Sequence, residues 1–303
     1  MSKHFGRKSV ITSIVALATV GLFGLSSSPA VTADDTAQGD YYSVVGPSQI
    51  VTSEFPRLYT TTEKVYKKQG TNTNHVTVSD IHYSQLDGYK RSGMAYGVIT
   101  NDMINMSKGY RETWEPNSDP SGWYKYYRLS DNAQISENEY DAQKTKAKKV
   151  KNNPAVVLTR LDGRKYNSHL FVRSHLFADS LGGRAFRNNV IMGTQMQNVG
   201  THKGGMQYIE RKVLNYIKQH PQVYVYYKAV PEYQGTELIP RSVLVSALSS
   251  DGTIDETVRV FNTAQGFAID YQNGGLLNTP VSEDTTPDDI TGLPVDETLD
   301  DAA

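Results

Sequence analysis

The amino-acid sequence predicts an α+β fold with a central, mostly antiparallel sheet. Short apolar or alternating runs, separated by turn residues, recur along the chain, as is typical of strands. Two segments have helical character, residues 134–151 and residues 204–220, and Pro221 ends the second. The sequence has no internal repeat, phosphate-binding loop, dinucleotide fingerprint or zinc pattern.

The N-terminus predicts a secretory signal peptide. A basic start that includes Lys3, Arg7 and Lys8 precedes an apolar run over residues 10–25, and small residues follow at 31–33. We expect cleavage after Ala33 and a secreted, extracellular protein that makes no contact with the membrane. The alternative is an uncleaved anchor, which the short apolar run disfavours.

Composition divides the remaining chain into three parts. Residues 34–75 are polar and predict a flexible lead-in, residues 76–282 form the folded domain, and residues 283–303 carry eight acids and no base, which predicts a disordered tail. Residues 34–282 then hold 28 basic against 24 acidic residues, a mild excess that suits a polyanionic substrate. The chain has no cysteine, so its core alone must hold the fold, and we expect a monomer.

The strand predictions follow the apolar runs in chain order. A turn at Asp87-Gly88 precedes the second strand, and two late runs close the sheet. The predicted strands cover residues 75–79, 92–99, 155–158, 166–177, 223–227 and 242–246.

One stretch, residues 172–198, carries the residues suited to catalysis. His175 ends an apolar strand, a Gly-Gly turn and a second short strand follow, and Asn198 lies 23 positions after the histidine, at the loop entering the next helix. A neutral imidazole can accept a proton from water at neutral pH. An amide oxygen is a hard ligand suited to Mg²⁺. Together they favour metal-assisted hydrolysis of a phosphodiester, although an ordinary turn asparagine is the alternative for Asn198.

A second histidine competes with His175, because residues 167–170 nearly repeat residues 173–176. On one continuous strand, His169, Arg173 and His175 would share a face, so the period alone cannot choose between the histidines. The flanks favour His175, which has Arg173 two positions before it and the glycine turn after it. A hydrogen-bonded core histidine is the alternative.

Glu210 lies within the apolar stripe of the helix predicted over residues 204–220. Met206, Val213, Leu214 and Ile217 define that stripe at helical spacing. A buried carboxylate needs a partner, which a metal-bound water or an arginine would provide. An internal salt bridge without a catalytic role is the alternative.

These residues resemble the DNA/RNA non-specific endonuclease family, whose ββα-metal (His-Me finger) motif has Asp-Arg-Gly-His on a strand, an asparagine metal ligand and a helix with a glutamate. Arg-Ser-His-Leu at residues 173–176 is similar to the secreted, streptodornase-like branch, with Val172 in place of the aspartate and Ser174 in place of the glycine. The resemblance covers about residues 80–275, and residues 86–96, 120–123 and 265–270 also share in it.

The resemblance implies a nuclease domain over residues 76–282 that hydrolyses DNA, with RNA as a further substrate, without base specificity and with 5′-phosphate products. It implies Mg²⁺, with Mn²⁺ as the alternative, held by Asn198. His175 would be the general base, Arg173 would stabilise the transition state, and Glu210 would support the metal site. An inactive extracellular nucleic-acid-binding or uptake protein is the alternative function.

Six further cations are candidates for phosphate contact. Arg184 and Arg187 flank the glycine turn, and a lysine cluster ends the helix predicted over residues 134–151. A solvated helix end explains the lysines equally well. The cluster comprises Lys144, Lys146, Lys148 and Lys149, with Lys151 beside them.

Overall fold

The computed structural model describes residues 41–67, 70–107, 112–159, 165–200 and 204–277. The predicted signal peptide and the predicted acidic tail lie outside the described residues. None of the helices in the described ranges is long and apolar enough to cross a membrane.

Fifteen strands and four α-helices make up the described part. The strands are β1 (Tyr42–Gly46), β2 (Tyr59–Lys67), β3 (Gly70–Val78), β4 (His82–Tyr83), β5 (Ala95–Ile99), β6 (Tyr124–Arg128), β7 (Gln134–Ile135), β8 (Ala147–Lys151), β9 (Ala155–Thr159), β10 (Lys165–His169), β11 (Phe171–His175), β12 (Val190–Thr194), β13 (Val225–Glu232), β14 (Ser242–Ser249) and β15 (Asp255–Phe261). The helices are α1 (Asn101–Ser107), α2 (Glu137–Ala142), α3 (Gln195–Val199) and α4 (Met206–Gln219).

The largest sheet has six strands in the order β1-β15-β14-β13-β5-β4, and every neighbouring pair is antiparallel. Buried and half-buried residues alternate along β13, so one face of this central strand packs into the core. Its Tyr227 is fully buried and meets the ring of Phe177 edge-on, with 5.1 Å between the ring centroids. The predicted α+β class with a central antiparallel sheet is confirmed.

Helix α4 packs on this sheet by the apolar stripe that the sequence predicts. Met206, Ile209, Val213 and Ile217 are all fully buried in the same cluster as the inward residues of β13, β14 and β15. The helix begins after Gly205, whose φ is +56° and whose absent Cβ would lie 2.3 Å from the Gln197 carbonyl oxygen. Glycine is therefore required where α4 approaches α3.

Strands β11 and β12 form a two-stranded ribbon outside the large sheet. The sequence predicts one strand over residues 166–177, whereas the chain breaks at Leu170 into β10, which pairs with β9, and β11, which pairs with β12. Leu170 is fully buried, and its amide donates to the Pro154 carbonyl while its own carbonyl accepts from Gln195. The expected common face from residue 167 to residue 175 is therefore wrong, because these tertiary bonds separate the two strands.

The prediction of a helix over residues 134–151 is also wrong for most of these residues. Helix α2 ends at Ala142 after a start capped by the Ser136 hydroxyl, a 3₁₀ turn covers Lys144–Lys146, and the remaining lysines lie on β8. Strand β8 pairs with β6 in a three-stranded sheet. The cross-strand hydrogen bonds to β6 determine that residues 147–151 form a strand, and a local run of lysines does not predict that pairing.

The predicted flexible lead-in differs from the structure over residues 41–67. Strand β1 forms an edge of the large sheet through its pairing with β15, and Tyr42 stacks on Tyr208 of α4 with ring centroids 4.0 Å apart. Strands β2 and β3 pair antiparallel. The polar composition of this region hides these strands, and the partner of β1 lies far away in the sequence, at β15.

Candidate active site

The β11–β12 ribbon places His175 at the end of β11, opposite Val190. The histidine is 4 % exposed, and its ring stacks on the half-buried Trp114 with centroids 5.0 Å apart and an angle of 23° between the planes. Trp114 comes from the segment between α1 and β6. The indole therefore fixes the plane of the imidazole from outside the ribbon.

Arg173 precedes His175 by two positions on β11, and a carboxylate holds its guanidinium. Its Nε and Nη2 donate to Asp119 Oδ1 at 3.0 and 2.6 Å. The guanidinium carbon lies 5.1 Å from the ring centroid of Trp114 and 5.5 Å from that of Trp123. Nη1 has no hydrogen-bond partner among the described residues, so this edge of the guanidinium can meet an anion.

Asn198 lies within the short helix α3, not in a loop as the sequence predicts. The Thr194 hydroxyl caps α3 by accepting from the Gln197 amide at 2.9 Å, which starts a helix directly after β12. Asn198 is 6 % exposed, and the buried Ser174 hydroxyl donates to its Oδ1 at 3.3 Å. Ser174 directly precedes His175, so this hydrogen bond links Asn198 to the end of β11.

Glu210 is buried on α4, as the apolar stripe predicts, and α4 packs against α3. Burial raises the pKa of its carboxyl to about 8, and the positive charge of Arg211 opposes the shift. No salt bridge to Glu210 forms within the described ranges. Burial penalises the ionised carboxylate, and a nearby cation would stabilise it.

These donors fit a hard divalent metal ion. Asn198 offers an amide oxygen, and Glu210 offers a buried carboxyl that makes no salt bridge among the described residues. No cluster of three or more His, Cys, Asp or Glu side chains suited to a metal occurs in the described part of the chain. A site with so few protein ligands suits an ion that keeps much of its own water.

Comparison with known proteins decides the family. The model of the DNA/RNA non-specific endonuclease family matches residues 59–301. The chain belongs to this family. It is a nuclease, and its substrate is nucleic acid, as the resemblance implies.

Two relatives are close to this nuclease and one is remote. A protein described as a deoxyribonuclease from Streptococcus dysgalactiae subsp. equisimilis is 64 % identical over 264 residues, covering 87 % of this chain and 81 % of the relative. The structure of Sda1 nuclease with a bound zinc ion matches with a TM-score of 0.76 and 58 % identity, over 81 % of this chain and 99 % of that one. Magnesium-bound NucA from Streptococcus agalactiae matches at a TM-score of 0.46 and 20 % identity, over 65 % and 76 % of the two chains.

The nuclease has its second candidate histidine in another ribbon. His169 ends β10, and its Nδ1 lies 3.2 Å from the Asn153 carbonyl oxygen. The break at Leu170 separates this strand from β11. The structure therefore places His175, and not His169, on the strand whose Ser174 hydroxyl donates to Asn198.

The flanking cations of the nuclease have internal partners. Arg187 is mostly buried and makes a two-bond ion pair with Glu137, at 2.6 Å for Nη1–Oε1 and 2.8 Å for Nη2–Oε2. Arg184 pairs with Glu112 and Glu115. Arg187 therefore ties the loop after β11 to α2, and both of its Nη groups are already bound.

The lysine cluster divides between two settings. Lys144 lies 3.4 Å from Asp141, in the 3₁₀ turn that also contains Lys146. Lys148 and Lys149 lie on β8 with their ammonium groups over the rings of Tyr127 and Tyr124, at 5.8 and 4.4 Å from the ring centroids. The β8 lysines therefore form an exposed basic and aromatic surface.

Sequence reasoning missed Trp114 and Asp119 as parts of the site. The two tryptophans of the chain, Trp114 and Trp123, both lie against Arg173. Their scarcity and their spacing of nine residues were an available signal. Nothing in the sequence marks Asp119 as the partner of an arginine 54 positions later.

Asn189 was also missed, and it closes the loop between β11 and β12. This fully buried residue accepts at Oδ1 from the Phe177 amide at 2.9 Å, and its Nδ2 donates to the Phe177 and Arg184 carbonyls, both at 2.8 Å. The side chain satisfies buried backbone groups at the base of the loop.

Proposed function

We propose that this nuclease is a secreted, sequence-non-specific endonuclease that hydrolyses DNA with His175 as its general base and one divalent metal ion. The observation that carries the proposal is the hydrogen bond from Ser174 to Asn198. It joins the metal-binding amide to the strand that ends in the base. The two chemical groups therefore belong to one rigid unit of β11, β12 and α3.

His175 would take the proton from the attacking water. Its position at a strand end and its stacking on Trp114 restrict rotation of the imidazole, so that the accepting nitrogen keeps one direction. Such restriction reduces the entropy that must be lost in reaching the transition state. The imidazole would hold the proton as a cation until solvent removes it.

Asn198 would hold the metal ion, and Glu210 would orient water beside it. When bound, the ion supplies Lewis-acid stabilisation of the charge on the phosphate and on the leaving oxygen. The oxygen donors favour Mg²⁺, with Mn²⁺ next. Sda1 nuclease, which is 58 % identical, was solved with a zinc ion, so the identity of the metal needs a direct comparison of the three ions.

Arg173 would stabilise negative charge on the phosphate in the transition state. Its Nη1 edge is the part of the guanidinium that internal bonds leave available, within the residues the structure describes. A charge-assisted hydrogen bond from this edge strengthens as charge grows on the phosphate oxygens.

The substrate proposal combines the relatives with the surface of β8. The 64 % identical relative is described as a deoxyribonuclease, which favours DNA, with RNA as a further substrate. Lysines on β8 would contact the backbone phosphates of any sequence. Secretion rests on the signal-like residues 1–33, and the protein would act as a monomer.

The decisive experiment compares His175→Ala with His169→Ala, using purified protein, plasmid DNA and Mg²⁺. We expect His175→Ala to lower kcat by a factor of about 10² to 10⁴, the usual contribution of a general base. His169→Ala should cost far less. The reverse order of the two variants would assign the base to His169.

An EDTA arm and a DNA-retention assay complete the design. Cleavage that survives EDTA would remove the metal from the proposal. If the unaltered protein retains DNA on a column but never cuts it, the inactive binding protein is the correct alternative.

A further inference from the structure

Asp119 holds Arg173 more completely than a surface ion pair would. Its Oδ1 accepts two hydrogen bonds from the guanidinium, at 3.0 and 2.6 Å, and its Oδ2 accepts from the Tyr124 hydroxyl at 3.1 Å. The side chains of Arg173 and Asp119 are 33 % and 22 % exposed. Both oxygens are engaged, so the carboxylate cannot rotate away without losing at least one bond.

Two kinds of contact restrain the guanidinium: hydrogen bonds within its plane and aromatic rings beside it. Asp119 binds the Nε and Nη2 edge, while the rings of Trp114 and Trp123 lie against the guanidinium. Trp114 also stacks on His175. Trp114 therefore contacts both Arg173 and His175, and fixes the position of one relative to the other.

We infer that Asp119 is a positioning residue for catalysis, which acts by fixing Arg173 so that its Nη1 edge meets the substrate phosphate. The carboxylate also neutralises the arginine, so the pair contributes a directed hydrogen bond more than a long-range attraction for DNA. Loss of Asp119 should therefore lower kcat and change KM little. This inference rests on the proposed role of Arg173.

The test is a double-mutant cycle of Asp119→Asn and Arg173→Ala, with kcat and KM measured on the same DNA at saturating metal. Asp119→Asn alone should lower kcat by about 10- to 100-fold, the range of a charge-assisted hydrogen bond. In the Arg173→Ala background, the same substitution should have almost no further effect, because its only catalytic route is gone.

Asp131→Asn is the matched control, since Asp131 forms a more exposed ion pair, with Arg128 at 2.9 Å. It should leave kcat unchanged. Thermal unfolding of each variant separates a loss of fold from a loss of orientation. If Asp119→Asn does not fold, Asp119→Ser enters the same cycle, because it removes the carboxylate without adding a buried amide.

The outcomes distinguish this inference from the function on which it rests. Multiplicative effects of the two substitutions, or a normal kcat in the Asp119 variant, would overturn the positioning role while leaving the nuclease proposal intact. A normal kcat in Arg173→Ala would instead overturn the role of the arginine itself.

Discussion

At the scale of single residues, the site combines groups that the sequence reveals with groups that it hides. His175 and Asn198 are predicted from their spacing around a glycine turn, and Glu210 is predicted to be buried from helical periodicity alone. Trp114 and Asp119 approach Arg173 from a segment with no regular structure, and no periodicity marks such a contact. The partner of Arg187 is equally hidden, since Glu137 lies 50 positions earlier.

Glu210 gives a prediction about stability in the metal-free protein. Its pKa rises from 4.5 to about 8 on folding, so between these values the unfolded chain ionises while the folded protein keeps the proton. The free energy of unfolding should therefore fall as pH rises through this window, by up to about 1.4 kcal/mol per pH unit from this residue. Above a pH of about 8 the contribution should level off.

Glu210→Gln should remove that slope. In the EDTA-treated state, the free energy of unfolding of the variant relative to the unaltered protein should therefore be more favourable at pH 8 than at pH 5. Denaturant unfolding of both proteins at several pH values measures the difference. The exposed Glu54→Gln controls for the loss of one carboxyl. Parallel curves for the Glu210 variant and the unaltered protein would show that the carboxyl is not held protonated by burial.

At the scale of elements, strands with a marked apolar run are predicted, whereas β1, β4 and β15 of the large sheet are not. Residues 223–227 and 242–246 alternate or run apolar because one or both faces are buried. Residues 225–227 of the first run begin β13, and the second run lies within β14. Strand β8 is misread as helix because its exposed lysines leave just Ala147 and Val150 buried. Two buried positions three apart fit a helical period as well as a strand in a sheet.

The turn after β11 gives a prediction about the ribbon. A Cβ at Gly183 would lie 1.8 Å from the Phe177 carbonyl oxygen, a backbone atom that cannot move without shifting the strand end that bears His175. Gly183→Ala should destabilise the protein by about 2–4 kcal/mol and reduce cleavage further than the lost stability explains. Gly88→Ala is the control, because a Cβ there would meet nothing within 4 Å.

Thermal unfolding and cleavage at a temperature where both variants are folded provide the comparison. Equal melting temperatures for the two alanine variants would mean that the turn has room for a side chain. In that case the glycine would not determine the geometry of the ribbon.

At the scale of the whole molecule, the basic surface of β8 should govern substrate binding and not the chemical step. Changing Lys148 and Lys149 to glutamine should raise KM and reduce the salt slope of log K by up to about 0.9 for each lost phosphate contact. The rate at saturating DNA should stay nearly constant, because uniform binding does not change kcat. Affinity and cleavage measured at two salt concentrations test both expectations.

The charge-matched control changes Lys218 and Lys228, which lie on α4 and β13. It removes the same net charge from another part of the protein. An equal effect from both pairs would mean that the β8 lysines act only through the net charge of the protein and do not contact the DNA.

Asn189 has a consequence for how the protein can vary in evolution. Its amide bonds to Phe177 and Arg184 and so sets the number of residues that the loop between β11 and β12 can hold at its base. An insertion between these anchors would displace the fully buried Ala178 and Leu181, whereas one at the anchors would leave buried backbone groups without partners. Length differences among relatives should accordingly accumulate elsewhere along the chain, and this loop should diverge by substitution alone.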